Sequence, residues 1–114
     1  MDSIEHSLAY QLADVVDYVP GSIVIKSILR KKTGTVNLCS FDMGEILATK
    51  ISPFDNMIQV IDGTAEVIIN EISTQVKTGQ TMIIPAHSNN KVKANERFKM
   101  LSTVIKSGYE DVSL

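Results

Sequence analysis

From Gly21 onward this chain never sustains a helical apolar stripe; it is a succession of short alternating runs. GSIVIKSIL (21–29), TVNLCSF (35–41), GEILATK (44–50), NMIQVI (56–61), TAEVIIN (64–70), STQVK (73–77), TMIIP (81–85), NKVKA (90–94) and FKMLSTVI (98–105) are rich in β-branched residues and read as strands. Between them stand Lys32-Thr33-Gly34, Asp62-Gly63, Asn70-Glu71 and Lys77-Thr78-Gly79, residues that tolerate positive φ in tight turns. Many short strands at close spacing bury their apolar faces as a sandwich or barrel. A parallel doubly wound sheet would need strands alternating with helices, and the alternation is absent. The helical signal is confined to LADVVDY (12–18), where Leu12, Val15 and Val16 hold helical spacing for about two turns.

A length of 114 residues suits one domain with one core. Eleven basic against thirteen acidic side chains leave a formal net charge of -2, which gives no electrostatic reason to expect a nucleic-acid or anionic-membrane partner. The opening MDSIEHSLAY has acids where a secretion signal needs basic residues, and no apolar run approaches the roughly 18 residues of a membrane span, so a cytoplasmic location is expected. The single cysteine, Cys39 in VNLCSF, reads as a small core hydrophobe. Met43, Met57, Met82 and Met100 read as core filler at strand spacing.

Two spacings in the middle of the chain carry a resemblance. Gly44 and Gly63 bracket GEILATKISPFDNMIQVIDG, and Gly79 with Pro85 opens GQTMIIPAHSNNKVKA. This frame resembles the paired motifs of the cupins: Gly, five residues, His-x-His, three or four residues, Glu, six residues, Gly; then Gly, five residues, Pro-x-Gly, two residues, His, three residues, Asn. The ending IPAHSNNKVKANERFKMLSTVIK is similar to that of small cupin type 2 proteins. The resemblance implies an all-β jelly-roll barrel over residues 21–106, preceded by an arm over 1–20 and followed by a tail over 107–114. It also implies a homodimer, and SLAYQ (7–11) has the alternation of an edge strand open to pairing.

The frame is kept but the ligands are not. Lys50 and Ser52 stand at the two histidines of the first motif, Asn56 at its glutamate, and Asn90 at the histidine of the second; Ala94 takes the final Asn and His87 the glycine. An amine, a hydroxyl and two amides make a poor set for a transition metal, so no metal and no cofactor is expected. Lys50, Ser52, Asn56 and Asn90 instead outline a polar ligand pocket, with His87 beside it, for an unidentified small molecule such as an organic anion. Two other functions stay open. One is an enzyme, either a metal-free isomerase or lyase using Lys50 or His87, with Asp55 or Asp62 as the histidine's partner, or a divergent cupin recruiting metal through His87 and a nearby acid. The other is an oligomerisation module whose barrel is filled. A roomy pocket favours binding; an interior filled by Met, Ile and Val favours the module.

Overall fold

A computed structural model describes residues 4–48 and 51–106. Among them lie nine strands: β1 (Ile23–Lys31), β2 (Gly34–Phe41), β3 (Ile46–Ala48), β4 (Asn56–Asp62), β5 (Thr64–Ile69), β6 (Ile72–Lys77), β7 (Thr81–Ile84), β8 (Asn90–Lys93) and β9 (Phe98–Ile105). All pairings are antiparallel, in a five-stranded sheet of order β1-β2-β9-β4-β7 and a four-stranded sheet of order β3-β8-β5-β6. This is the expected all-β jelly-roll architecture. No helix among the described residues is long and apolar enough to cross a membrane.

The turns follow from the residues in them. Asn70 and Glu71, at φ 49 and 70, close the β5–β6 hairpin with Ile69 opposite Ile72, the doubly left-handed two-residue turn that matches strand twist. Gly44 and Gly63, the two glycines of the first motif, both have positive φ, at 88 and 77. They are not equivalent. A Cβ on Gly44 would meet open space, whereas one on Gly63 would lie 2.5 Å from the Arg97 carbonyl oxygen and 2.9 Å from Phe98 Cβ.

The core lies between the two sheets. Phe41 and Phe98, paired across β2 and β9, stack with ring centroids 4.5 Å apart, and Ile58, Val60, Ala65 and Val67 are fully buried around them. Burying side chains of this size stabilises by roughly 1.5–3 kcal/mol each. A second cluster of Val16, Ile28 and Leu38 lies on the other, outer face of the five-stranded sheet, where the N-terminal arm crosses it.

Two expectations need correction. SLAYQ forms no strand: Ser7 has φ 67, residues 8–11 are irregular, and no described strand lies alongside to complete a ladder. The short helical turn expected from LADVVDY is present as a 3-10 turn over Leu12–Asp14, after which Val16 turns down onto the sheet. The methionines also divide. Met82 and Met100 join the core, but Met43 is 68% exposed in the loop after β2 and Met57 is 41% exposed because β4 turns it outward.

The glycine geometry yields a stability ranking. Gly44→Ala should cost on the order of 1 kcal/mol, from the positive φ alone. Gly63→Ala, which adds steric overlap with backbone that cannot move alone, should cost about 3 kcal/mol or more. Urea midpoints of the two variants measure the difference; equal losses would contradict the close approach at Gly63.

Candidate functional site

Four positions were singled out by the motif frame, with His87 as a fifth. Lys50 lies outside the described residues. The next three come together: Ser52, Asn56 and Asn90 line one recess of about 160 Å³ with Phe54, Ile84, Pro85 and Val104. Asn56 opens β4 and is flanked by Ile84 on β7 and Val104 on β9, while Asn90 opens β8 in the opposite sheet. The recess therefore sits between the two sheets, where these four strands reach the same end of the sandwich. Phe54, Ile84 and Val104 carried no motif signal; their role in the lining is a product of the pairing.

The hydrogen bonds inside the site have a common sense. The Ser102 hydroxyl donates to Asn56 Oδ1 at 2.7 Å, and the Phe54 N–H donates to Ser52 Oγ at 3.1 Å. Each of these oxygens thus has one of its two lone pairs engaged, while the Ser52 hydroxyl proton and the Asn56 NH₂ remain to be donated to a bound molecule. Asn90 Nδ2 donates to the Ser88 carbonyl over a longer 3.3 Å. The loop is held by its backbone: the His87 N–H donates to the Ser52 carbonyl at 2.7 Å and the Ala86 N–H to Asp55 Oδ1 at 2.7 Å.

His87 does not join this group. Its side chain is exposed, its φ is 64, and it is absent from the recess lining. Pairing with Asp62 is ruled out by distance, since Asp62 lies six residues along β4 from Asn56, on the order of 20 Å away. Asp62 is also taken, accepting a 2.5 Å hydrogen bond from the Tyr18 hydroxyl. Burial first, and then this bond, push the Tyr18 phenol well above its ordinary range. Asp55 lies nearer to His87, but it serves as the acceptor for Ala86 N–H.

Cupins commonly hold a metal at these positions, so the donor set matters. Among the described residues no three of the histidine, cysteine, aspartate and glutamate side chains gather closely enough to hold an ion. The recess offers a hydroxyl and two amides, which do not fit a transition metal. Cys39 is inside the sandwich at 3% exposure, and burial pushes its thiol up to about 11.

Known proteins place the fold. A conserved Streptococcus pyogenes protein of unknown function superposes with a TM-score of 0.87 at 28% identity, over 92% of each chain. A cupin superfamily protein from Desulfitobacterium hafniense gives 0.83 at 18% identity, over 90% of this chain and 94% of its own. A cupin 2 conserved barrel domain protein from Leptotrichia buccalis gives 0.81 at 33% identity over 85% of this chain. The protein is a small cupin-fold domain. It spans about half of the Leptotrichia cupin, 47% of that chain. No family model matches the sequence, and no curated protein does.

Two measurements follow from this cupin site. Protein purified without a metal-affinity tag should carry far less than one equivalent of iron, manganese, nickel or zinc by elemental analysis, and stoichiometric metal would refute the reading of the donor set. The Cys39 thiol should resist alkylation at pH 9 in the native state and react once unfolded. Its raised pKa works in one direction: the stabilisation is complete below the unfolded value near 9.0 and is lost as pH rises through about 11. Rapid native alkylation at pH 9 would show that the thiol is not held in the core.

Proposed function

We propose that this cupin-fold protein is a metal-independent barrel that binds or senses a small, acceptor-rich molecule, with a short organic carboxylate as the best-fitting class. The observation that carries the reading is the one-sided hydrogen bonding of the recess. Ser52 and Asn56 each spend one oxygen lone pair within the protein and none of their protons, so the donors predominate among what they have left and a ligand that accepts is favoured. Charge-assisted bonds to a carboxylate are about twice as strong as neutral ones. Lys50, two positions before Ser52 in the chain, is the cation that the motif frame assigns to the same pocket.

Size narrows the ligand further. At about 160 Å³ the recess falls below the roughly 300–1,000 Å³ of sites for drug-sized ligands and holds about the bulk of five waters. Toward the other end the interior is filled by Phe41, Phe98, Ile58, Val60 and their neighbours, and a separate open cleft of about 540 Å³ lies across Val104 from the recess, lined by Ser27, Arg30, Thr35, Asn37 and Lys106. A ligand of a few heavy atoms, carboxylate inward, matches the recess. An aromatic or sugar-sized substrate does not.

Thermal unfolding against a panel of short carboxylates and inorganic phosphate tests the proposal. At about 100 times its Kd a ligand should raise Tm by several degrees or more. Asn56→Asp, which keeps an acceptor for Ser102 but replaces the donor pair with a negative charge, should abolish the shift, as should Lys50→Met. If no anion stabilises the wild type, or if Asn56→Asp responds equally, the donor-pocket reading fails.

A further inference from the structure

We infer that the open cleft on the far side of Val104 is a second binding site, built for a phosphate monoester. It does not rest on the reading of the recess, with which it shares Val104 alone. The register places both on one inward row that crosses all five strands: Arg30, Thr35, Val104, Asn56 and Ile84. With neighbouring strands about 4.8 Å apart, Thr35 and Asn56 stand roughly 10 Å from one another. The two sites are neighbours with separate walls.

A β-bulge makes the cleft basic. Ser27 lies opposite Asn37 and Leu29 opposite Val36, which leaves Ile28 as the extra residue in β1. Ile28 is buried in the outer cluster and Leu29 lines a groove on that outer face with Val36, so two consecutive side chains point outward. Arg30 therefore faces inward with Ser27, where strict alternation from Ser27 would send it out. Its Nη2 donates to Ser27 Oγ at 3.0 Å, and Ser27 Oγ donates in turn to Asn37 Oδ1 at 2.8 Å. The series ends on the Asn37 NH₂, whose protons are left for the cleft.

The remaining donors come from β2 and the end of β9. Lys106 follows Val104 by two residues and lines the same cleft, its backbone N–H donating to the Thr33 carbonyl at 2.7 Å. Among the described residues no hydrogen bond uses the Lys106 ammonium or the Thr35 hydroxyl. Two cations and two neutral donors thus face one volume of about 540 Å³ with no acid among its described lining, in a chain whose formal net charge is -2. A carboxylate would leave part of this set unused, since it has one charge and two oxygens in a plane. A phosphate monoester carries about -1.5 to -2 charges near pH 7 and three acceptor oxygens in a tetrahedral array, which suits donors approaching from three strands. There is also a surface for the rest of the molecule. Ile25, inward beside buried Cys39, is 53% exposed, so the opposite sheet leaves β1 uncovered there. The volume lies within the roughly 300–1,000 Å³ of small-molecule sites, and an apolar body lies along Ile25 and Val104 while the phosphate meets Asn37, Thr35 and Lys106.

Isothermal titration calorimetry with phenyl phosphate tests the site, because its ring is too large for the 160 Å³ recess. Binding should be saturable, and Lys106→Gln and Thr35→Val should each weaken it by about 10-fold or more, the loss of one hydrogen bond to a charged group. Lys106 is exposed beyond the last strand, so its variant reads out binding even if Thr35→Val does not fold. Lys77→Gln, which removes an equal charge from β6, should bind as the wild type does. Benzoate keeps the ring and inorganic phosphate keeps the anion; each should displace phenyl phosphate only at about 10-fold higher concentration or more. The absence of saturable phenyl phosphate binding overturns the proposal. So does a Lys106→Gln or folded Thr35→Val variant that binds as tightly as the wild type, an equal loss in Lys77→Gln, or equal competition by benzoate or inorganic phosphate. The recess is read separately, through short carboxylates and Asn56→Asp, so either site can fail alone.

Discussion

The register among β2, β9 and β4 decides what kind of interior this protein has. Four inward rows cross these strands. Phe41 lies beside Phe98; Cys39 beside Met100 and Val60; Asn37 beside Ser102 and Ile58; Thr35 beside Val104 and Asn56. Read in that order, the rows pass from aromatic, through aliphatic and sulfur-bearing, to polar. One end of the sandwich is therefore plugged and the other is left with hydrogen-bonding groups, and the recess forms at the second end. A slip of one residue in any of these strands would turn its inward set outward, and a slip of two would drive an amide toward the phenylalanine stack. Burying an amide without its partner costs roughly 1–3 kcal/mol, comparable to what one large apolar side chain contributes. The polar mouth and the apolar plug thus enforce the same register from opposite ends.

The outer face solves a different problem, that of seating an arm which is neither helix nor strand. Backbone carbonyls laid against a sheet need donors. Here the sheet supplies them from side chains: Lys99 Nζ donates to the Ala13 carbonyl, Lys26 Nζ to that of Val15 at 3.3 Å, and Ser40 Oγ to that of Asp17 at 2.8 Å. The acceptors fall on every second residue, the period of a strand, with Val16 plugged between Ile28 and Leu38. Lys99 is 9% exposed, and its ammonium lies 4.8 Å from the centre of the Tyr18 ring, with the Arg97 guanidinium 4.5 Å from the same ring. Carbonyl and aromatic face together replace the water that the amine gives up. The arm covers the part of the face under which Leu38 is fully buried and stops short of Met57 and Ile83.

Much of this was legible in the sequence because turns and alternation are local. The strands from Ile23 to Ile105 fall within a few residues of the runs that predict them, and Asn70-Glu71, Asp62-Gly63 and Lys77-Thr78-Gly79 each mark a junction between consecutive strands, with Asp62 and Lys77 as the last residues of β4 and β6. The motif frame also carried information beyond strands, since Ser52, Asn56 and Asn90 do meet in one recess. What failed was whatever depends on a neighbour. The alternation in SLAYQ has no adjacent strand to answer it, and Met57 obeys strand periodicity while facing outward, a distinction that composition cannot make. Phe54 and Val104 reach the recess only because the sheets cross there. His87 had a suggestive residue type beside the motif, but the backbone around it, with its N–H bound to the Ser52 carbonyl, leaves the side chain outside.

The replacement of acids and imidazoles by amides and a hydroxyl changes what the mouth of this barrel requires when nothing is bound. Clustered carboxylates repel one another and raise one another's pKa, so a site made of them is at ease only with its cation. The Ser102–Asn56 and Phe54–Ser52 bonds settle the oxygens of this site within the protein, and no buried side-chain polar atom among the described residues lacks a partner. The recess is consequently stable without a ligand, and the donors it retains are ones that water can satisfy. A molecule entering such a site displaces that water and gains only the difference between its own acceptors and water's, which for a neutral group is small and for an anion is larger. On the proposed anion-binding reading, selectivity would come from the Ser52 and Asn56 protons that the internal hydrogen bonds leave unspent, with no charge needed on those two side chains.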